Sequence, residues 1–433
     1  MISVSASTRS KKSRPISRAW RTAALGLVLT RLSACAPRDA DDAPDATAAR
    51  PEGRLLELFS WWTAPGEAEA FQNLVDTHKV RYPESRLFNA AVASGIRAKE
   101  ILKQRLIQND LPDLFQENAY DLKIYVQNNR GKIARIDDLY ESLALRNSIF
   151  PEVLSDLAID GHFYAMPVNL HRENTLLYSK KLFAQYGLSV PQNLAELKTV
   201  CEAFRRRKVT PIATSHQGWI LRIMLNSIVA GMMGPKDYQL YFTGKLPRED
   251  LRLRQSIHLL GELLTKYSNS DAGDPGFGWM NAAQAVMNGD AAMYLHGDWA
   301  KGYLAQLGAV ADVDVGVVAA PGTAGLFLYN SDVFAIPLGA PNAEGARAFL
   351  ETIASPSAQA AFNRVKGSSP VRPDVELPQS DPVSQATLRD LREAEVRMVL
   401  HTGDGWDDAI GRFAKDHDEE ALYRVYLTNP PMQ

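Results

Sequence analysis

The apolar run "LLELF" at 55–59 reads as a strand, and "GEAEAFQNLVDTHKVRYP" after it alternates apolar and polar groups with a helical period until Pro83 ends it. "SRLFNAAVA" at 85–93 reads as a second strand, "GIRAKEILKQRLIQND" at 95–110 as a second amphipathic helix, and "LPDLF" at 111–115 as a short third strand. Strand, helix, strand, helix, strand predicts parallel pairing and an α/β layer fold. Open sheets of this kind bind ligands beyond the carboxyl ends of their strands. "WWTAPGE" follows the first strand and "QENAYD" the third, so both fall on one edge of one sheet. Further on, extended residues run into Tyr178 and give way to a helix, and the stretch 190–310 is mostly of helical period with Gly-rich joints. "VDVGVVAAPG" reads as a buried strand. "DVFAIPLGAPNAEGARAFLETIASPSAQAAFNRV" reads as a strand followed by two helices. No fixed-period repeat is visible, which argues against a solenoid.

The 433 residues exceed what one hydrophobic core holds, so two domains are expected, and 45% hydrophobic with 23% charged residues is ordinary for a globular protein. The first 35 residues depart from this. Arg9, Lys11, Lys12, Arg14, Arg18 and Arg21 precede a short apolar run, Ala23 to Leu29, and "LSAC" follows. That order describes a secretory signal rather than a spanning helix, which needs about 20 apolar residues. "LSAC" resembles a bacterial lipobox, with Cys35 as the lipidated first residue. Ordinary cleavage near Ala36 is the alternative. Residues 36–54 are rich in Ala, Pro and Asp and read as a disordered tether. Removing residues 1–34, with 7 basic and no acidic residues, takes the 48 basic residues to 41 against 50 acidic. An acidic mature chain argues against nucleic acid or a polybasic membrane patch. With Cys35 lipidated, Cys201 has no partner for a disulfide, and its place in "LAELKTVCEAFRRRK" suits a small apolar filler. The 8 histidines show no metal-ligand spacing, so neither metal nor cofactor is inferred.

Several stretches taken together, "FSWWTAPGE", "PDLFQEN", "FYAMPVNLHRENTLLYSKKLF", "VMNGDAAMYLHGDWAKGY", "SDVFAIP" and "KGSSPVRPDV", resemble the extracellular solute-binding proteins of bacterial ABC sugar importers, nearest the glucose- or mannose-binding branch. The resemblance runs from about Leu55 to about His417. It implies a two-lobed periplasmic-binding-protein fold: two α/β sheets joined by a hinge that the chain crosses several times, with a sugar trapped between them. On that pattern lobe one holds 55–168 plus 322–362, and lobe two holds 169–321 plus 363–433. It further implies an exported monomer, periplasmic or at the cell surface, that hands a mono- or disaccharide to the membrane permease subunits of an ABC importer, without catalysis.

A hexose presents an apolar C–H face that stacks on an aromatic ring, and hydroxyls that each donate and accept. Charged partners roughly double the strength of those hydrogen bonds. The residues that match the family's site are Trp61, Trp62, Glu67, Gln116, Asn118, Trp299, Asp332, Lys366 and His401. Adjacent side chains on extended backbone point opposite ways, so Trp61 and Trp62 divide the labour: Trp62 is expected as the stacking surface, with Trp61 bracing the lobe. Glu67, in the first turn of a helix, is expected to grip a hydroxyl; its ordinary alternative is a helix-dipole partner. Asn118 stands where the family pattern has a histidine after the Gln, which bears on sugar preference. Trp299 matches the second stacking surface, Asp298 beside it is expected to order the turn, and Trp219 and Trp279 are candidates for the rim. Asp332 precedes a buried-type strand and needs partners such as a sugar and a cation. Thr175 and the segment around Asn226 also depart from the pattern, toward a larger or shifted pocket. A glycoside hydrolase would need two flanking carboxylates, a role in which Glu67 and Asp332 could be cast, and no hydrolase motif is present.

Overall fold

Strand Leu55–Ser60 pairs in parallel with Arg86–Ala91 on one side and with Leu114–Asn118 on the other, as strands joined by helical crossovers must. The computed structural model describes residues 55–403 and 405–429, so the signal, Cys35 and the tether fall outside the described residues. The first sheet is completed by two later segments that run antiparallel to their neighbours, in the order Arg86–Ala91, Leu55–Ser60, Leu114–Asn118, Asp332–Ala335, Ala165–Pro167. A second, four-stranded sheet has the order Val315–Ala319, Thr175–Ser179, Ala291–His296, Thr210–Ile212. This is the mixed α/β, two-lobed periplasmic-binding-protein fold.

A third sheet joins the lobes: Val396–Val399, Leu326–Asn330 and His171–Arg172. Its central strand uses the period of two in an unusual way. Phe327 and Tyr329 pack into the core of the first lobe, while Leu326 and Leu328 pack into the core of the second. One strand thus shares its two faces between two cores.

The lobe division differs from the sequence expectation beyond residue 362. Val365, Val371, Leu377, Leu388, Leu391 and Ala394 all belong to the first core, so the chain does not pass to the second lobe until Val396–Val399. Helix Pro382–Glu393, capped by Asp381 through the Ser384 amide, turns Leu388 and Leu391 inward. The apolar pattern of that helix fits either core; only its docking decides.

Helix Glu67–Arg81 packs along helix Pro356–Lys366 on the first lobe. Gly66 starts it at φ +86, and a Cβ there would lie 3.0 Å from the carbonyl oxygen of Gly302 in helix Trp299–Gln306. A Cβ on Gly302 would collide with the Lys366 carbonyl oxygen. Two glycines therefore let the lobes meet backbone to backbone beside the cleft. Cys201 is buried in helix Leu194–Arg206 with Leu197, Val200 and Phe204, the filler position its spacing predicts.

Candidate ligand cleft

The floor of the cleft is built on strand register. Asp332 lies opposite Asn118 in the antiparallel pair, and Gln116 lies two residues back on the same face. Both amides therefore reach one carboxylate: Gln116 donates to Asp332 Oδ1 at 3.1 Å and Asn118 at 3.4 Å. Asn169 donates to Oδ2 at 3.0 Å and accepts from the Asp332 amide at 2.9 Å. His171 completes the chain, with Nε2 3.3 Å from Asp332 Oδ2 and Nδ1 2.6 Å from Asp298 Oδ1. Burial by itself raises Asp332, but the hydrogen bond and charge of His171, with the Lys366 charge, outweigh it and hold the carboxyl at about 2. Burial and Lys366 pull His171 down, and the two carboxylates more than offset them, leaving the imidazole raised. Asp298 also accepts from the Arg172 amide at 2.8 Å, so its carboxylate ties the turn to strand His171–Arg172 and makes no cap hydrogen bond to helix Trp299–Gln306 that follows it.

The walls are aromatic. Trp61 is half-buried on the first lobe, with Lys99 Nζ 5.3 Å from its ring centroid. Lys99 also donates to Asn118 Oδ1 at 2.9 Å and pairs with Glu117 at 3.0 Å and with Asp121. Trp219, Trp279 and Trp299 stand half-buried on the second lobe, Trp219 and Trp299 with centroids 6.3 Å apart. Both rim candidates start helices, Gly218–Met233 and Trp279–Asn288, rather than lying in loops. His296 lies beneath all three indoles, fully buried, and burial pushes its imidazole down to about 3. At one end Lys366 donates to Glu67 Oε1 at 3.0 Å.

Trp61, Glu67, Asn118, Trp299, Asp332 and Lys366 come together on one cavity of about 660 Å³, within the usual range for ligand pockets, and Trp219 and Trp279 line it too. Three expected residues lie elsewhere. Trp62 is 1% exposed and packs among Phe71, Phe334 and Phe362, the last at 5.0 Å, because the covering helices dock on that side of the sheet. Trp61, not Trp62, is the indole that faces the cavity, the reverse of the expectation. His401 is buried in the second core, stacked on Phe242 at 4.9 Å and 4°, and its carbonyl, not its ring, accepts from Asn226. Gln116 is fully buried behind the floor, where its carbonyl oxygen accepts from the Trp61 amide at 3.2 Å. It positions both Trp61 and Asp332 without facing the cavity. Sequence reasoning missed Lys99, His171, Glu173, Arg222 and Asp407, all on the cavity wall. His171 and Glu173 sit inside "NLHREN", already a landmark, whereas Arg222 and Asp407 lie in helices with no motif.

A family profile described as bacterial extracellular solute-binding protein matches residues 99–389. An ABC-transporter extracellular-binding protein of Pyrococcus horikoshii is 30% identical over 351 residues, covering 79% of this chain and 78% of its own. A protein of Brucella melitensis described as a probable sugar-binding periplasmic protein is 28% identical over 353 residues, covering 81% and 82%. Among solved structures, a bacterial solute receptor described as preferring β-D-galactopyranose exclusively superposes with a TM-score of 0.73 at 17% identity, over 86% of this chain and 96% of its own. A raffinose-bound solute-binding protein does so at 0.69 and 16%, over 86% and 97%.

Proposed function

The chain belongs to the bacterial extracellular solute-binding proteins, and on that premise we propose that its cleft captures a monosaccharide of the glucose or mannose type for an ABC importer. Its relatives are binding components of transporters, and the chain is a binding protein rather than an enzyme. The observation that carries the sugar reading is the cavity itself: four half-buried indoles from two lobes around a floor of buried Asp332 and its amides. A pyranose stacks its C–H face on Trp61 and Trp299, while Asn118, Asp332 and the Lys366–Glu67 pair meet its hydroxyls. The lobes close on the ligand about the shared sheet. We propose likewise that Cys35 carries the lipid, that the protein is a monomer, and that it delivers the sugar to the importer's membrane subunits. Among the described residues no helix is long and apolar enough to cross a membrane.

A second reading, a disaccharide, is favoured by one observation. The second lobe offers Trp219, Trp279 and Trp299 rather than one indole, a surface for two rings. Asp332 is held at about 2 and so is ionised at neutral pH, which unsuits it for the proton-donating role of a hydrolase. Tryptophan fluorescence during titration with glucose, mannose, galactose and maltose tests the reading. Saturable quenching or a blue shift with one of them is expected; no response to any of them overturns it.

A further inference from the structure

The carboxylates on the cavity wall are partnered, with one exception. Glu67 pairs with Lys366, Asp121 with Lys99, Asp332 with His171, and Asp407 with Arg222 at 2.7 Å. Glu173 also lines the cavity and is 5% exposed, yet its carboxylate makes no hydrogen bond or ion pair with any of the described residues. Its place is fixed by the backbone: it lies between strands His171–Arg172 and Thr175–Ser179, and its amide donates to the Leu328 carbonyl at 2.9 Å. The anchored backbone places the side chain on the cavity lining, where a ligand can reach its carboxylate. A largely buried carboxylate without a protein donor is costly unless it is neutralised or receives a hydrogen bond from water or a ligand.

We propose that Glu173 is a specificity-determining contact of the cleft, whose ionised carboxylate accepts a hydrogen bond from a donor group of the bound sugar. This rests on the carbohydrate reading above. The residue faces four charged groups from four elements: His171 on its own segment, Arg222 on helix Gly218–Met233, Asp407 on helix Trp406–Asp416, and Asp298 ahead of helix Trp299–Gln306. Arg222 is already engaged by Asp407, so its charge reaches Glu173 only partly offset. Burial raises the Glu173 carboxyl to about 7, with Arg222 and His171 opposing and Asp298 and Asp407 adding to it. Near neutral pH the Glu173 carboxyl thus exchanges between acid and carboxylate. A ligand donor selects the carboxylate, so affinity rises with pH through that range and falls on the acid side.

The test is calorimetric titration with glucose, mannose, galactose and maltose from pH 5.5 to 8.5, on the wild type, Glu173→Gln and Glu173→Asp. For whichever sugar binds, wild-type affinity is expected to rise about tenfold or more across the range. Glu173→Gln is expected to bind about tenfold or more weakly at pH 8.5, with a flat profile, and Glu173→Asp to keep the slope. Should the Gln variant unfold, the Asp variant's slope and its weaker binding carry the same test. A Gln variant with wild-type affinity and slope overturns the role of Glu173 and leaves the sugar reading standing. No binding of any sugar by the wild type overturns both.

Discussion

Trp61 and Trp62 share a peptide bond and serve different parts of the molecule: Trp61 stands on the cleft wall under Lys99, and Trp62 lies with its ring 5.0 Å from that of Phe362 inside the first core. Alanine at the two positions should therefore give opposite phenotypes. Trp61→Ala costs less stability than Trp62→Ala, because its half-buried ring packs only on the edge of the first core, and weakens sugar binding by about tenfold or more. Trp62→Ala lowers unfolding free energy by about 3–5 kcal/mol, the usual cost of removing a buried Trp, and reduces affinity only as far as the lobe loosens. Denaturant melts and calorimetric titrations on both variants check this. A destabilised Trp61→Ala with intact binding contradicts the assignment.

The division between these two residues was half legible in the sequence. Alternation dictated that one indole faces the core, but not which. That choice is made by Phe334 of strand Asp332–Ala335 and Phe362 of helix Pro356–Lys366, which arrive from far along the chain and pack on Trp62. The strands and helices of 55–118 were legible because their patterns are local and the connections short. The lobe assignment of 363–394 was not, because a single amphipathic helix carries no label for the core it enters. Glu173 gave no signal of its own; its character comes from Arg222, Asp298 and Asp407, brought to it by tertiary structure.

Lys366, 4% exposed in its side chain, ends one helix, and Glu67 begins another, so the pair also suits the charge at each helix terminus. Glu67→Gln leaves a buried ammonium without its carboxylate and is expected to cost about 3 kcal/mol. Lys366→Met combined with Glu67→Gln should recover part of that loss. A double-mutant cycle measures the coupling, and strict additivity of the two changes contradicts a direct pair.

His401 sets an acid limit. Its two ring nitrogens are buried without partners among the described residues, and burial pushes the imidazole down to about 4 from the ordinary 6.5. The fold holds the neutral base, so its contribution is complete above 6.5 and is lost as pH falls toward 4. Over that window the loss is about 3 kcal/mol. His401→Phe keeps a ring against Phe242 and removes the titration. Unfolding free energy measured from pH 7 to 4 should fall less steeply in that variant, and an unchanged slope contradicts the assignment.

Cys201 is buried with Leu197, Val200 and Phe204, and burial raises its thiol well above the ordinary range. A chromogenic disulfide reagent should leave it unmodified in the native protein at pH 8 and modify it on unfolding. Rapid labelling of the native form contradicts the packing described.

On the proposed function, a sugar lies on Trp61 in the cleft between the lobes. Isothermal titration of the wild type and Trp61→Ala across monosaccharides and disaccharides tests it most directly. A one-to-one exothermic isotherm with at least one carbohydrate, weakened about tenfold or more by Trp61→Ala, is the predicted result. Heat from no carbohydrate, or an isotherm that Trp61→Ala leaves unchanged, contradicts it.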